Sequence, residues 1–258
     1  MTATDIAARA ALLEKARADG RPVEQLTKSE PGLPLDAAYR IQDEGIRLRV
    51  AAGDAVAGYK MGLTSEAKMA QMGVREPIAG VLLRSMRAEN GGTFAVKGLI
   101  HPRIEAEIAF VLGRELRGRV TREEAAAACD GVAAALEIVD SRFQNFKFTL
   151  PDVVADNCSS CGFVLGAVRP MAGVDLKAIP LEMSIDGKPV QRGSSADILG
   201  DPVLSLAALA SMMAARGLAI PAGSIVLAGA ATQAVPLTPG AHVSLAAGPL
   251  GPVSVRAL

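Results

Sequence analysis

Glu105 and Glu107 stand two residues apart in "HPRIEAEIAFVLG" (101–113), a run that otherwise reads as a buried β-strand. Side chains alternate faces along a strand, so the two carboxylates share one side, opposite Ile104, Ala106, Ile108 and Phe110. At about 5 Å and an effective dielectric near 20, their repulsion is on the order of 3 kcal/mol. Protonation of one, pairing with a base, or a shared divalent cation would each relieve it. A second strand-like run, "GVAAALEIVD" (131–140), carries Glu137 on an otherwise apolar face with Ala133, Ala135 and Val139. Three carboxylates on two buried strands offer the oxygen-only ligand set that a hard ion such as magnesium takes. Pairing with Arg103 or Arg142, or strands with wet faces, would account for the same pattern.

Lys60 lies in the apolar stretch "GYKMGLTS" (58–65) between Gly58 and Gly62. A partly buried lysine can act as a catalytic amine or hold an anionic substrate. It can also lay its stem along the core while the amine reaches water. "VVADNCSSCGFV" (153–164) reads as a polar loop between apolar strands, with Asp156, Asn157, Ser159 and Ser160 suited to a polar ligand or simply to turns. It also contains Cys158 and Cys161 at C-x-x-C spacing. Zinc would want further ligands, and Cys129, His101 and His242 are scattered. A thioredoxin-like site would want a βαβ setting. Ser65 and Lys68 match S-x-x-K, but no K-T-G accompanies them. No G-x-G-x-x-G follows a strand and there is no P-loop.

The elements that must position these groups follow from periodicity. Residues 4–18 have helical spacing, with Ile6, Ala10, Leu13 and Ala16 on one side. After "SEPGLPLD" (29–36), Asp36 is suited to cap a second helix with Tyr39, Ile46 and Val50 on its apolar face and Gly53 as terminator. A short third helix is expected from Thr64 or Ser65, with Glu66 in its first turn and Gly73 at its end. From about residue 79, short apolar runs separated by Gly, Pro and Asp read as strands. Two helices interrupt them, "TREEAAAAC" (121–129) and "DPVLSLAALASMMAARG" (201–217). This is not a regular βαβ alternation, which disfavours a doubly wound sheet.

Composition narrows the function classes. The 258 residues include 27 basic and 27 acidic side chains, so the charge makes no case for nucleic acid or anionic membrane as partner. Six Phe, two Tyr and no Trp leave little for base stacking. The most apolar stretch, "PVLSLAALASMMAA", is shorter than a span of about 20 residues. The N-terminal stretch lacks the basic start and apolar core of a signal peptide. Three cysteines, an odd number, do not suggest a disulfide framework, and a cytoplasmic protein is expected.

Taken in order, "KMGLTSEAKMAQMGV", "HPRIEAEIAFVLG", "EIVDSRFQNFKF" and "VVADNCSS" resemble the 2-keto-4-pentenoate hydratase and 4-oxalocrotonate decarboxylase family of the fumarylacetoacetase C-terminal-like superfamily. The likeness runs from about residue 36 to the C-terminus, where "GAATQAVPLTPGAHVSL" also fits. It implies an α+β fold, with a helical N-terminal segment (1–57) and a mixed β-roll core (58–258) forming a single catalytic unit. It implies a magnesium or manganese ion held by Glu105, Glu107 and Glu137, with Lys60 as active-site lysine. Leu63, Ile78, Asp156, Ser159 and Ser160 are then expected along the substrate pocket. The implied substrates are small 2-oxo acids of aromatic meta-cleavage catabolism, and the implied partners are further copies of the chain and a hydratase.

Hydratases of this family carry P-D-x-G where this chain reads Pro77-Ile78-Ala79-Gly80. Adding water needs a placed acid–base group. An apolar wall at that place suits a carboxylate that leaves as neutral carbon dioxide. The resemblance therefore points to a decarboxylase, with a hydratase as the alternative. A non-catalytic subunit supporting a hydratase and a thiol redox protein are the readings from other classes.

Overall fold

The computed structural model describes residues 1–65, 69 and 76–258. Most of the short helix expected between Thr64 and Gly73, including Glu66 and Gly73, lies outside the described residues; Met69 is helical, its amide donating to the Ser65 carbonyl at 2.9 Å. The expected α+β arrangement is what the chain forms: helices first, then, among the described residues, two large sheets and a two-stranded one of Leu116–Arg117 and Ala219–Ile220.

The helix Ala3–Asp19 is closed at its start by a capping box between Thr2 and Asp5, and it buries Ile6, Ala10, Leu13 and Ala16. The next long helix, Leu35–Ala51, differs from expectation. Its N-cap position is Pro34, so Asp36 falls inside the first turn, where it favours the positive helix end. The buried face is Ala37, Ala38, Ile41, Gln42 and Gly45 rather than Tyr39, Ile46 and Val50. Small residues let the helix pack close against its neighbours, and Val50 is left 43% exposed. The N-terminal helices end at Ala51, and the first strand, Val56–Gly62, spans the expected 57/58 division.

Among the described residues, one sheet has eight strands. Its order is Ile78–Leu83, Val56–Gly62, Ile225–Ala230, Arg103–Leu112, Cys129–Val139, Ser160–Leu165 and Arg87–Ala88, with Val235–Pro236 added to Arg103–Leu112. The second sheet runs Lys188–Ser194, Pro180–Ile185, His242–Ala246, Pro252–Ala257 and Thr93–Phe94. The main core forms on one face of the first sheet. There Ile104, Ile108 and Phe110 join Val132, Leu136 and Ile138, with Leu245 and Val253 from the second sheet.

The helix Pro202–Ala215 adds Val203, Leu206 and Leu209 to that core, which accounts for its hydropathy. Counted from Ser195, this segment reaches 21 residues, longer than its sequence suggests, and half of it is buried. Asp201 caps the helix by accepting from the Val203 amide at 2.9 Å, as expected.

The odd-numbered residues of the two central strands face the other way. Ala109 and Ala135 pack there with Leu82, Phe163 and Leu227. Glu105, Glu107 and Glu137 occupy the same face, which is the face that carries the site.

Candidate active site

The two central strands pair in a register that sets Glu105 directly opposite Glu137 and Glu107 opposite Ala135. Oxygens of the three carboxylates lie within 4.8 Å of one another. Glu107 and Glu137 are fully buried, and Glu105 is 8% exposed. The neighbouring strand Ile225–Ala230 breaks register between Leu227 and Ala230. Gly229 sits in that break at φ +110°, and a Cβ there would fall 2.1 Å from Thr64 Oγ1. The break turns the Gly229 amide inward, where it donates to Glu107 Oε2 at 2.8 Å.

Lys60 comes from the next strand, opposite Leu227 and Gly80. Its Nζ stands 3.1 Å from Glu137 Oε2 and donates to the Cys158 carbonyl at 3.1 Å. Burial alone would lower the lysine pKa, but the carboxylates around it, Glu137 foremost, outweigh burial and raise it. The amine therefore keeps its proton. Burial pushes Glu107 well above the usual carboxylate range, with Glu137 and Glu105 adding to the rise. Burial likewise raises Glu137 to about 7, against the pull of Lys60.

Glu107 Oε1 and Glu137 Oε1 find no hydrogen-bond donor. Buried acceptor oxygens converging without donors are what a hard divalent cation satisfies, and this donor set contains neither thiolate nor imidazole. The alternative pairing with Arg142 does not occur. That guanidinium is buried against Asp156, bonded through its Nε and Nη2, and donates through Nη1 to the Asp140 carbonyl at 2.7 Å. Arg103 instead lies over the ring of Phe146, 4.6 Å from its centroid.

A cleft of about 1080 Å³ opens above the carboxylates. Lys60, Leu63, Ile78, Glu105 and Ser159 line it, with Arg103, Phe146, Gln191 and Thr232 among the residues completing its walls. Ser159 is 3% exposed and its hydroxyl has no hydrogen-bond partner. The other two residues expected along the pocket do not line it. Asp156 is taken by Arg142, whose backbone amide also donates to it at 3.1 Å. Ser160 donates to Met86 Sδ at 3.7 Å. Both brace the segment behind the cleft. Burial, opposed by Arg142, raises the Asp156 pKa to about 6.

That segment is not the loop the sequence suggests. A helix, Leu150–Ala155, precedes it, and Asp152 ties that helix to Thr27 through bonds of 3.0 and 2.8 Å. Then Asn157, Cys158 and Ser159 take φ values of 48°, 52° and 58° in succession. Left-handed non-glycine residues cost free energy and concentrate at functional sites. Leu63, Asn145 and Phe146, all lining the cleft, share that conformation. The turn at Asn157 aims the Cys158 carbonyl at Lys60. The sequence offers Asn157 only as a hydrogen-bonding or turn residue and gives Gly229 no site role, although both types favour positive φ.

The thiols offer no rival site. Cys129, Cys158 and Cys161 are all free, and burial foremost pushes the Cys158 and Cys161 thiols up to about 12. Thiolates are correspondingly scarce.

Comparison with known proteins agrees with this geometry. The chain is 46% identical over 242 residues to a 4-oxalocrotonate decarboxylase of Pseudomonas sp., covering 94% of each chain. It is 37% identical over 248 residues to a 2-hydroxyhexa-2,4-dienoate hydratase of Comamonas testosteroni, covering 95% of this chain and 94% of the relative. It also superposes on the 4-oxalocrotonate decarboxylase of Pseudomonas putida G7 complexed with magnesium and adipate. The TM-score there is 0.97 at 39% identity, over 100% of this chain and 99% of that one. Residues 50–256 match the fumarylacetoacetate (FAA) hydrolase C-terminal family, and the chain belongs to that family.

Proposed function

We propose that this protein is a divalent-metal-dependent lyase that converts 4-oxalocrotonate (2-oxo-3-hexenedioate) to 2-hydroxypenta-2,4-dienoate and carbon dioxide. The observation that carries the reading is the buried trio of Glu105, Glu107 and Glu137, in which Glu107 Oε1 and Glu137 Oε1 lack donors among the described residues, beside a protonated Lys60. These residues would hold magnesium or manganese, and the bound ion would supply a Lewis acid for the carbonyl and carboxylate oxygens of a 2-oxo acid.

The chain's own groups do the rest. The C5–C6 bond of the substrate breaks, and its electron pair moves through the conjugated carbons to the C2 oxygen. Lys60 places a positive charge beside the carboxylate cluster, where that oxygen gains electrons, and Glu137 and the Cys158 carbonyl fix its amine. Leu63 and Ile78 cover the site with apolar surface and exclude water. Ser159 offers an unpaired hydroxyl to the substrate's oxygens. Asp156 and Ser160 support the turn that carries Ser159.

The hydratase reading rests on the hydratase relatives and on the same carboxylate cluster. It needs an acid–base group in the cleft. Among the described residues, the carboxylates lining the cleft are Glu105 and Asp197, and Asp197 already accepts from the Ser194 amide at 2.8 Å. Ile78 stands where the hydratase motif has its carboxylate. This favours decarboxylation. A hydratase that consumes the dienol is the protein partner this chemistry implies, and a cytoplasmic homo-oligomer is the assembly the family resemblance suggests.

The test is turnover of 2-oxo-3-hexenedioate by protein stripped with a chelator. Activity should be absent and should return with magnesium. Full activity in the stripped protein, or none after magnesium is restored, would overturn the reading.

A further inference from the structure

The decarboxylase substrate is a dianion, and the carboxylate cluster with Lys60 accounts for one end of it. Arg103 lies on the same strand as Glu105 and Glu107 and on the same face. It lines the cleft, opposite Val139, in the row next to the Glu105–Glu137 pair. Among the described residues no carboxylate pairs with it, whereas Arg142 is bound to Asp156 and Arg192 to Glu182. Its guanidinium rests on the Phe146 ring, which is braced by Phe148 at 5.6 Å between centroids. Stacking fixes the plane of the guanidinium and leaves its edge N–H groups available for a carboxylate.

We infer that Arg103 receives the carboxylate at the far end of the substrate and selects six-carbon diacids over 2-oxo monoacids. The inference rests on the proposed decarboxylase function and adds the residue that reads substrate charge. Distance supports it. Two residues along a strand rise about 6.8 Å. An extended six-carbon diacid spans about 6–7 Å between its carboxyl carbons. The spacing of the two positions along the strand thus matches the length of the substrate.

Ile78 lies on the lysine side. A Cβ on Gly62 would fall 3.1 Å from Ile78 Cγ1 and 4.0 Å from Lys60 Nζ. Ile78 then covers the 2-oxo end, not the departing carboxylate as the sequence suggests. An ion pair with a carboxylate that leaves as neutral carbon dioxide weakens as the reaction proceeds. Arg103 therefore strengthens substrate binding without raising turnover, and is a specificity residue.

Calorimetry with magnesium and a matched pair of unreactive ligands tests this apart from catalysis. The ligands are 2-oxohexanedioate, which has the far carboxylate, and 2-oxohexanoate, which lacks it. The unaltered protein should prefer the diacid by about tenfold or more. Arg103→Gln should abolish that preference by weakening the diacid alone, and Arg103→Lys should fall between. With the true substrate, Arg103→Gln should raise KM about tenfold while kcat stays within about threefold. Equal binding of both ligands by the unaltered protein, equal weakening of both in Arg103→Gln, or a collapse of kcat at constant KM would overturn the assignment. If the diacid preference follows Arg103 but no carbon dioxide is released, the ligand assignment stands and the decarboxylase reading falls.

Discussion

Glu105 and Glu137 face each other across the two central strands, with Glu107 one step along the same face. Their charges oppose folding unless something neutralises them. Glu105→Gln and Glu107→Gln should each reduce magnesium-dependent turnover by at least about a hundredfold, because glutamine keeps the size but loses the charge that binds a hard cation. Without metal, Glu107→Gln should melt no lower than the parent, since a neutral side chain replaces a buried carboxyl crowded by Glu137 and Glu105. Thermal melts with and without magnesium check this. Near-normal activity in both variants would show that the carboxylates hold no catalytic metal.

Metal binding should release protons. Glu137 titrates at about 7 and Glu107 well above the usual carboxylate range, each chiefly through burial. Below about pH 7 the ion must displace protons from these carboxyls, so its affinity should fall as pH falls from 8 to 6. The same carboxyls bind protons more tightly folded than unfolded. Their contribution to the metal-free fold is greatest in acid and fades as pH rises through about 7. Calorimetry in buffers of different ionisation enthalpy measures the released protons. Affinity that is flat across this range would contradict the burial of the pair.

Lys60→Met should lower kcat by roughly a hundredfold or more, the loss of about 3 kcal/mol of transition-state stabilisation. It also leaves Glu137 without its cation, so a modest loss of metal-free stability is expected as well. Rate and melting temperature should be measured together. A normal rate in a well-folded variant would remove Lys60 from the chemistry.

Asn157 positions Lys60 from behind. Its side-chain Oδ1 accepts from the Val81 amide at 2.8 Å, and its Nδ2 donates to the Val81 carbonyl at 2.9 Å. This clasp ties the left-handed turn to the edge strand beside Lys60. Asn157→Gly keeps the positive φ accessible and removes only the clasp. It should lower kcat about tenfold, with a smaller effect once Lys60 is already methionine. Fully additive losses in that double-mutant cycle would mean that Asn157 acts independently of the lysine.

The site's legibility follows from its physics. Period-2 alternation puts Glu105 and Glu107 on one side of their strand and Glu137 on one side of a second, because both strands are regular and buried; only the pairing register brings the three together. Lys60 is ambiguous in the sequence because an apolar stretch suits both a buried amine and a lysine whose amine reaches water. The helix Leu150–Ala155 is short, and its tie to Thr27 spans distant sequence, so local pattern does not reveal it. Asp156 and Ser160 looked like pocket residues by type. Only the tertiary structure shows that Arg142 and Met86 occupy them. The bulge at Gly229 depends on the contact with Thr64, again a matter of packing.

On the proposed function, this cleft removes a carboxylate and does not add water. The most direct measurement compares two rates in one magnesium-containing preparation: carbon dioxide release from 2-oxo-3-hexenedioate, and loss of dienol absorbance from 2-hydroxypenta-2,4-dienoate. Decarboxylation should exceed hydration by about a hundredfold or more, since Ile78 supplies no acid–base group. Rapid hydration of the dienol with no carbon dioxide from the diacid would contradict the account.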